Sequence, residues 1–584
     1  MFLITTADTR TWKNDGKILF LGEWCRIRSL AQRWESMDYE VLPYPYDDRQ
    51  KLYHDFQLIG QVFEEYLAYL ADTLNNIHQT DHSRRYWRIV IGPWLWEFLE
   101  VFWERYQLIE AVAASGRVEN TLILDLPAED WNFTNFQELR IGYVASDTVN
   151  SLLFGWLIRE VGGIPWQATP FDQEQDWRLP KVKKSWKKPF YSAANRLFSL
   201  LPDSLKKVSF VGGSIFAAKE SLLLQASLGQ FPYLMLDSIE TPAYPRDQQM
   251  RSELNLSLER DPFTALVDKI LPHVFPTIHL EGYKKMRDLS LDRYPDNPKV
   301  IVTATAFLTN EGFKLWAGQK VEEGAKLAIA QHGGHFGSGL WNSHEEHQLT
   351  IADKFFSWGW ESSERSNIVP MPGAKLPVPG LGSKLYNQKG QILWPITLPC
   401  RYAFRMLSIP VGPQVGTIWD DAPRFLANLG EPIRKMFSIR CFPHDRGWGQ
   451  RFHFTQMGMG ANIYSGPKTM MQQLKGCRLM VAHYNSTCYL EAMAANFPVL
   501  LFWDKNLFEI RKDAEPFFAR LEQVGILHYS PESAGEKLQA IVDDVGAWWY
   551  KPEVQEIRRE FVRQYARTDA GRLKIWRQAL LDII

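Results

Sequence analysis

A chain of 584 residues exceeds the size at which a single hydrophobic core keeps growing, so two or more domains are expected. Sixty-six Lys and Arg against sixty-seven Asp and Glu give a formal charge of −1, which excludes a generally polycationic nucleic-acid binder but leaves room for a local basic cleft. Hydrophobic content of 45% and charged content of 23% are those of a soluble globular protein, and no run approaches the roughly eighteen apolar residues of a membrane span.

Cysteines number five (Cys25, Cys400, Cys441, Cys477, Cys488). An odd, widely spaced set without CxxC points to neither a disulfide framework nor a Cys-rich zinc site, and a reducing cytoplasm is the simplest compartment. The start, MFLITTADTRTW, is polar where a signal peptide needs its apolar region. Trp, Phe and Tyr are numerous, and such rings fill cores as readily as they line sugar or base pockets.

In chain order, Phe2–Ile4 and ILFL at 18–21 read as short strands. The second leads into Gly22 and Glu23, so Glu23 stands at a strand's carboxyl end, as a candidate site residue or an ordinary turn acid. Ile59, Val62, Phe63, Tyr66, Leu67 and Leu70 recur on one helical face within 47–75, and Leu95, Leu99, Phe102, Trp103 and Tyr106 mark a second; both are read as core packing. Thr121–Leu126 is a buried strand, 132–150 is turn-rich, and Leu152–Arg159 resumes a helix. Five lysines (Lys181, Lys183, Lys184, Lys187, Lys188) surround Trp186. The stretch is either a solvated loop or a peripheral contact for anionic headgroups or a lipid-linked polyanion.

Val208–Ala218 reads as strand, Gly-Gly turn and helix, followed by a helix, a break at Gly229 and Pro232, and a strand at YLMLDS. KVIVTATAF, AKLAIAQHGG, FFSWGW and NIVPMPG supply further strand-like runs. Pro and Gly at 371–390 have linker composition, and QILWPIT restarts a strand at Gln391. One helix is expected over PRFLANLGEPIRKMF, then a strand over SIRCFPHD and a glycine-rich section at 447–466. CRLMVAHYNSTCYLEAMAANFPVLLFWD, 477–504, is strand, polar knuckle, helix, strand: a βαβ signature that implies a mostly parallel sheet. The tail carries two stripes, Val554, Ile557, Phe561, Tyr565 and then Leu573, Trp576, Leu580. These elements divide into an α/β domain at 1–385, a Rossmann-like domain at 386–550 and terminal helices at 551–584.

Three short segments would converge at the strand ends of the second domain. HYNSTCYLEAM supplies His483, Asn485, Ser486, Thr487 and Glu491. Amides and hydroxyls that open a helix favour a phosphate, and Ser486 or Thr487 is the N-cap candidate. No S/T-x-x-E box runs from Thr487, whose third neighbour is Leu490, so Glu491 is freer for a ligand than for capping. TLPCRY supplies Arg401, and RCFPHDRGWG supplies Arg440, His444, Asp445 and Arg446. From the first domain, QHGGHFG places His332 at a strand's carboxyl edge, and Gly333 and Gly334 let the chain turn tightly beside a ligand. An imidazole there can take a proton from an acceptor hydroxyl. Downstream, His344 and His347 flank Glu345 and Glu346. The spacing is not HExxH, and a zinc site with His335 is disfavoured; either glutamate could anchor an acceptor or act as base, or simply be a helix charge. No DxD motif has a clear loop context, so no metal is required.

NSTCYLEAMAANFPVLLF resembles the donor-nucleotide segment of two-domain (GT-B) glycosyltransferases. With ADTRTWKNDGKILFLGEWC and QHGGHFG, the chain is similar nearly end to end to a bacterial family of surface-carbohydrate transferases, related to sugar transferases of capsule, O-antigen and nonulosonate biosynthesis and to CDP-alcohol polymer transferases. The resemblance implies a GT-B-like α/β fold of two Rossmann-like domains with parallel sheets facing a central cleft, and a terminal helix that crosses back to the first domain. It also implies an inverting transfer from a nucleotide-activated sugar, CMP- or other pyrimidine-linked and acidic in some relatives, to a polysaccharide, glycolipid or glycoprotein precursor on the cytoplasmic side of the membrane. In such a family Glu491 would hold the donor ribose and the His332 loop would lie between the domains. A nucleotide-sugar epimerase and a non-catalytic scaffold in polysaccharide assembly are the alternatives.

Overall fold

A computed structural model describes residues 1–14, 16–171, 201–212, 215–233, 239–254, 258 and 260–584. The lysine-rich stretch at 181–188, and the strand expected at YLMLDS beyond Tyr233, lie outside the described residues. The rest is an α/β structure with three five-stranded sheets whose strands all pair in parallel. The class is the expected one, but the stretch before residue 385 carries two of these sheets rather than one.

The first sheet has β1 (Phe2–Ile4), β2 (Ile18–Phe20), β3 (Tyr39–Val41), β4 (Asn120–Asp125) and β5 (Gln167–Pro170), in the order β3-β2-β1-β4-β5. The second has β6 (Val208–Phe210), β7 (Val300–Thr303), β8 (Lys326–Ala330), β9 (Lys354–Ser357) and β10 (Ile368–Pro370), running β10-β9-β8-β7-β6. The third has β11 (Gln391–Pro395), β12 (Phe437–Arg440), β13 (Cys477–Ala482), β14 (Val499–Phe502) and β15 (Leu527–His528), in the order β12-β11-β13-β14-β15. Central strands such as VIVT of β7 and VLLF of β14 are buried throughout, as parallel strands covered on both faces must be.

Strand order decides where a crevice can open. Successive strands of the second sheet are added on one side only, so it has no switch point. The first sheet reverses between β1 and β4, but Trp12 and Trp24 fill the region past β1, their indole N–H groups donating to the Thr6 and Thr5 carbonyls at 2.9 Å each. The third sheet reverses between β11 and β13, and ligands in such sheets gather beyond the strand ends at that reversal.

The helix Arg84–Ser115 is apolar on nearly every side and lies between the first two sheets' helices, packing on Arg49–His78, Asp147–Val161, Glu311–Glu322 and Ser343–Ile351. Its Glu97, Glu100, Glu104 and Arg105 are buried as well. Two local readings change. Within the turn-rich stretch 132–150 a helix forms at Phe136–Ala145, capped by Asn135, whose side chain accepts from the Glu138 amide at 3.0 Å. The single helix expected over 423–437 is instead Gly416–Ala427 and Glu431–Arg434, broken around Gly430.

The terminal helices leave the third sheet. Pro552–Tyr565 packs on Thr487–Ala495 and Glu515–Gln523, and Arg572–Leu581 then lies on Ala218–Ser227 beside the second sheet. There Trp576 sits edge-on to Phe216 and Phe356, donates to the Pro372 carbonyl at 2.9 Å and, with Leu580, completes a core on one face of β6, β7, β8 and β9. At Gly359, with φ +117°, an added Cβ would lie 2.1 Å from the Arg563 carbonyl oxygen, so the second sheet and the crossing helix touch backbone to backbone.

Candidate functional site

The second and third sheets meet at two of the motifs marked in the sequence. The loop after β8 carries Gln331, His332, Gly333 and Gly334, and the helix after β13 starts at Thr487 with Ser486 as its extended N-cap. The Gly334 amide donates to Thr487 Oγ1 at 2.9 Å. An added Cβ at Gly334 would fall 2.8 Å from the Ser486 carbonyl carbon and 2.9 Å from the Thr487 nitrogen, so only glycine permits this approach. Ser486 makes no side-chain cap; its hydroxyl instead faces Cys488 Sγ at 3.1 Å. The first amides of this helix are therefore left to other acceptors.

Charge gathers at this seam. Glu491, partly buried in the second turn, has its carboxyl pushed up to about 7 by burial, with Lys375 pulling the other way. Lys375 comes from the linker after β10; partial desolvation lowers it, and Glu491 opposes that. His332 is lowered to about 4, chiefly by burial and then by the charges of Lys375, Arg405 and Arg140. Its ring hydrogen-bonds the Ala304 carbonyl, and Nδ1 has no hydrogen-bond partner among the described residues. A neutral imidazole keeps a lone pair on one of its two ring nitrogens.

Beside the seam, at the β11–β13 reversal, lies a cavity of about 400 Å³. Its walls come from the loop after β11, from Arg446 after β12, from Tyr484 after β13 and from Arg140 and Ile141 of the first sheet's helix Phe136–Ala145. A buried polar relay stands behind it. Arg405 Nη1 donates to His344 Nδ1 at 2.9 Å, His344 Nε2 donates to Glu97 Oε1 at 2.8 Å, and Arg140 pairs with the other Glu97 oxygen at 3.5 Å. Burial raises Glu97 and holds Glu100 up to about 8.

The other marked residues lie elsewhere. Glu345 is almost wholly buried; one carboxylate oxygen accepts from the Gly337 amide at 2.9 Å and the other pairs with Arg511 of the third sheet's unit. It clamps the two units, as do the Leu340 amide on the Glu509 carbonyl (3.0 Å) and the Arg511 amide on the Ser338 carbonyl (2.8 Å). Glu346 pairs with Arg365 at 2.5 Å. Arg401 is turned to the first sheet's unit, on Asp147 at 2.7 Å and the Trp24 carbonyl at 3.2 Å. Arg440 donates to the Lys468 carbonyl at 2.8 Å, and His444 is exposed. His483 accepts from Trp394 Nε1 at 3.0 Å and is lowered to about 4 by burial. Asn485 accepts from the Tyr489 hydroxyl at 2.9 Å, which braces the knuckle from inside. Glu23 forms a surface pair with Arg26. Among the described residues no three His, Cys, Asp or Glu side chains are grouped to hold a metal ion, and no helix is long and apolar enough to cross a membrane.

Sequence reading missed Lys375, Arg140, Arg405 and the relay. One signal was available: Glu97, Glu100 and Glu104 stand three and four apart on an otherwise apolar helix, which puts them on one buried face.

Comparison with solved structures gives a protein from Listeria monocytogenes described as a UDP-N-acetylglucosamine 2-epimerase, at 12% identity over 64% of this chain and 94% of that one, TM-score 0.36. It also gives WaaG, a glycosyltransferase involved in lipopolysaccharide biosynthesis, at 13% identity over 64% of this chain and 99% of that one, TM-score 0.28. No curated protein matches. The model of the LIC12162 family of transferases matches residues 1–580, and the chain belongs to that family.

Proposed function

We propose that the chain is an inverting glycosyltransferase that moves a sugar from a nucleotide-activated donor, CMP- or another pyrimidine-linked, to a surface-polysaccharide, glycolipid or glycoprotein precursor. The observation that carries this reading is the contact of Gly334 with Thr487, which sets the His332 loop against the helix that bears Glu491, with Lys375 coupled by charge to both His332 and Glu491. The donor phosphate rests at that helix start, where unpaired amides and the helix dipole favour an anion, with Lys375 as the cation. Glu491 accepts hydrogen bonds from the ribose hydroxyls. The acceptor hydroxyl oxygen attacks the anomeric carbon as its proton passes to His332 Nδ1. The anomeric C–O bond to phosphate breaks, its electron pair stays on the phosphate oxygen, and Lys375 and the helix amides meet the growing negative charge. These groups supply the positive charge without a metal ion. The lysine-rich stretch at 181–188 suits a peripheral contact with anionic lipid.

Thermal-shift measurements with CMP, CDP, UDP, GDP and their sugars test the donor half. A pyrimidine nucleotide should raise Tm, and Thr487→Val and Glu491→Gln should each remove most of that rise. The reading is sunk if no nucleotide shifts Tm, or if both variants respond as the parent does.

A further inference from the structure

We propose that the cavity at the β11–β13 reversal binds the oxyanion, carboxylate or phosphate, of an acidic acceptor saccharide. The word acceptor rests on the donor reading above; the anion site itself does not. Three guanidinium groups from three separate segments line this one space: Arg140, Arg405 and Arg446. A guanidinium has five N–H donors in a rigid fork that matches carboxylate or phosphate. Each of these three spends little of that capacity on the protein. Among the described residues Arg140 forms one ion pair, with Glu97 at 3.5 Å. Among the described residues Arg405 donates through Nη1 to His344, and its buried Nε has no hydrogen-bond partner. Arg446 donates through Nη1 to the Leu398 carbonyl at 2.8 Å.

The remaining walls include Phe404, Leu407, Ile409 and Tyr484, a surface suited to the C–H face of a sugar ring. At about 400 Å³ the cavity falls within the usual range of ligand sites, roughly 300–1,000 Å³. Burial keeps Glu100 protonated to about pH 8, so near neutrality the three arginines face less carboxylate charge than the sequence suggests. Arg140 belongs to the first sheet's unit and Arg405 and Arg446 to the third's, so the anion site is complete only where those two units meet.

Titration calorimetry on the full chain tests this, with glucuronate and glucose 6-phosphate as probes, glucose as the neutral control, and each run repeated with saturating CMP. At least one acidic sugar should bind about tenfold or more tightly than glucose, and the preferred probe separates carboxylate from phosphate. Arg446→Gln should weaken it about tenfold, as loss of a charged hydrogen-bond partner does, with Arg446→Lys in between because the charge survives without the fork. CMP affinity should be unchanged in both. Arg140→Gln is a second variant with the same expectation. The proposal is overturned if acidic sugars bind no better than glucose, if the arginine variants bind them as the parent does, or if CMP competes for the site. Acidic-sugar binding without any nucleotide binding would uphold the anion site and remove the donor reading instead.

Discussion

Glu491 ties the charge of the seam to the pH of the solution. Its carboxyl is pushed up to about 7, so its ionised form, the acceptor that the proposed ribose contact requires, grows as pH rises through neutrality. Nucleotide affinity in the parent protein should therefore increase from pH 6 to pH 8, and Glu491→Gln should flatten that rise; titration at three pH values reads it directly. His332, lowered to about 4, is already neutral across the same window and ready to take a proton. Replacing it with Asn should cut transfer about 10²–10⁴-fold, the usual worth of a positioned base, while the nucleotide-induced Tm rise stays intact. At this scale the sequence marked two loops that the fold brings into contact. HGG and NST are local signals, a glycine pair and a hydroxyl pair at strand ends. Lys375 has none: PMPGAKLPVPG reads as a linker, and only tertiary folding sets its ammonium beside Glu491.

The helix Arg84–Ser115 shows why apolar periodicity finds an element and misses its chemistry. Its rings and aliphatic side chains marked a buried helix, yet the glutamates among them are buried too. Glu100 takes hydrogen bonds from Ser343 Oγ at 3.0 Å and the Met406 amide at 3.3 Å and is held up to about 8. Glu100 is raised from an ordinary value of 4.5, so the native state binds more protons between those values and stability falls as pH climbs from 4.5 to 8. Glu100→Gln should be close to neutral for Tm at pH 6 and should raise Tm above the parent's at pH 9. Thermal melts at both pH values decide it, and no gain at pH 9 would mean the carboxyl ionises without cost. The helix Phe136–Ala145 failed to register for a different reason. Asn135 and Ser146 look like turn residues, but each is an N-cap, of this helix and of the next, accepting from Glu138 and Val149 amides. Polar residues that cap two short adjoining helices mimic a loop, and Arg140 was hidden with them.

Across the whole molecule the strand ladder was the most legible part. Short β-branched and aliphatic runs gave nearly every central strand, because parallel strands covered on both faces must be apolar throughout. The edge strands β3, β5 and β15 are short or partly exposed, so they carry no such signal. How the sheets are held together is set by contacts remote in sequence, such as that of Gly359 with the helix Pro552–Tyr565. Gly359→Ala would place a methyl group 2.1 Å from the Arg563 carbonyl oxygen at a φ of +117°. Overpacking and backbone strain together should cost about 3 kcal/mol, read as a lower denaturant midpoint. An unchanged midpoint would show that the crossing helix is free to shift. Beyond that helix the chain continues into Arg572–Leu581, whose Trp576 and Leu580 close the core over β6, β7, β8 and β9. During synthesis, one face of the second sheet must wait, wet and unfinished, until the helix Arg572–Leu581 clears the ribosome. Nascent chains stalled or cut before Arg572 should expose Phe216 and Phe356 to chaperones and proteases, while the first sheet, complete some four hundred residues earlier, is already folded.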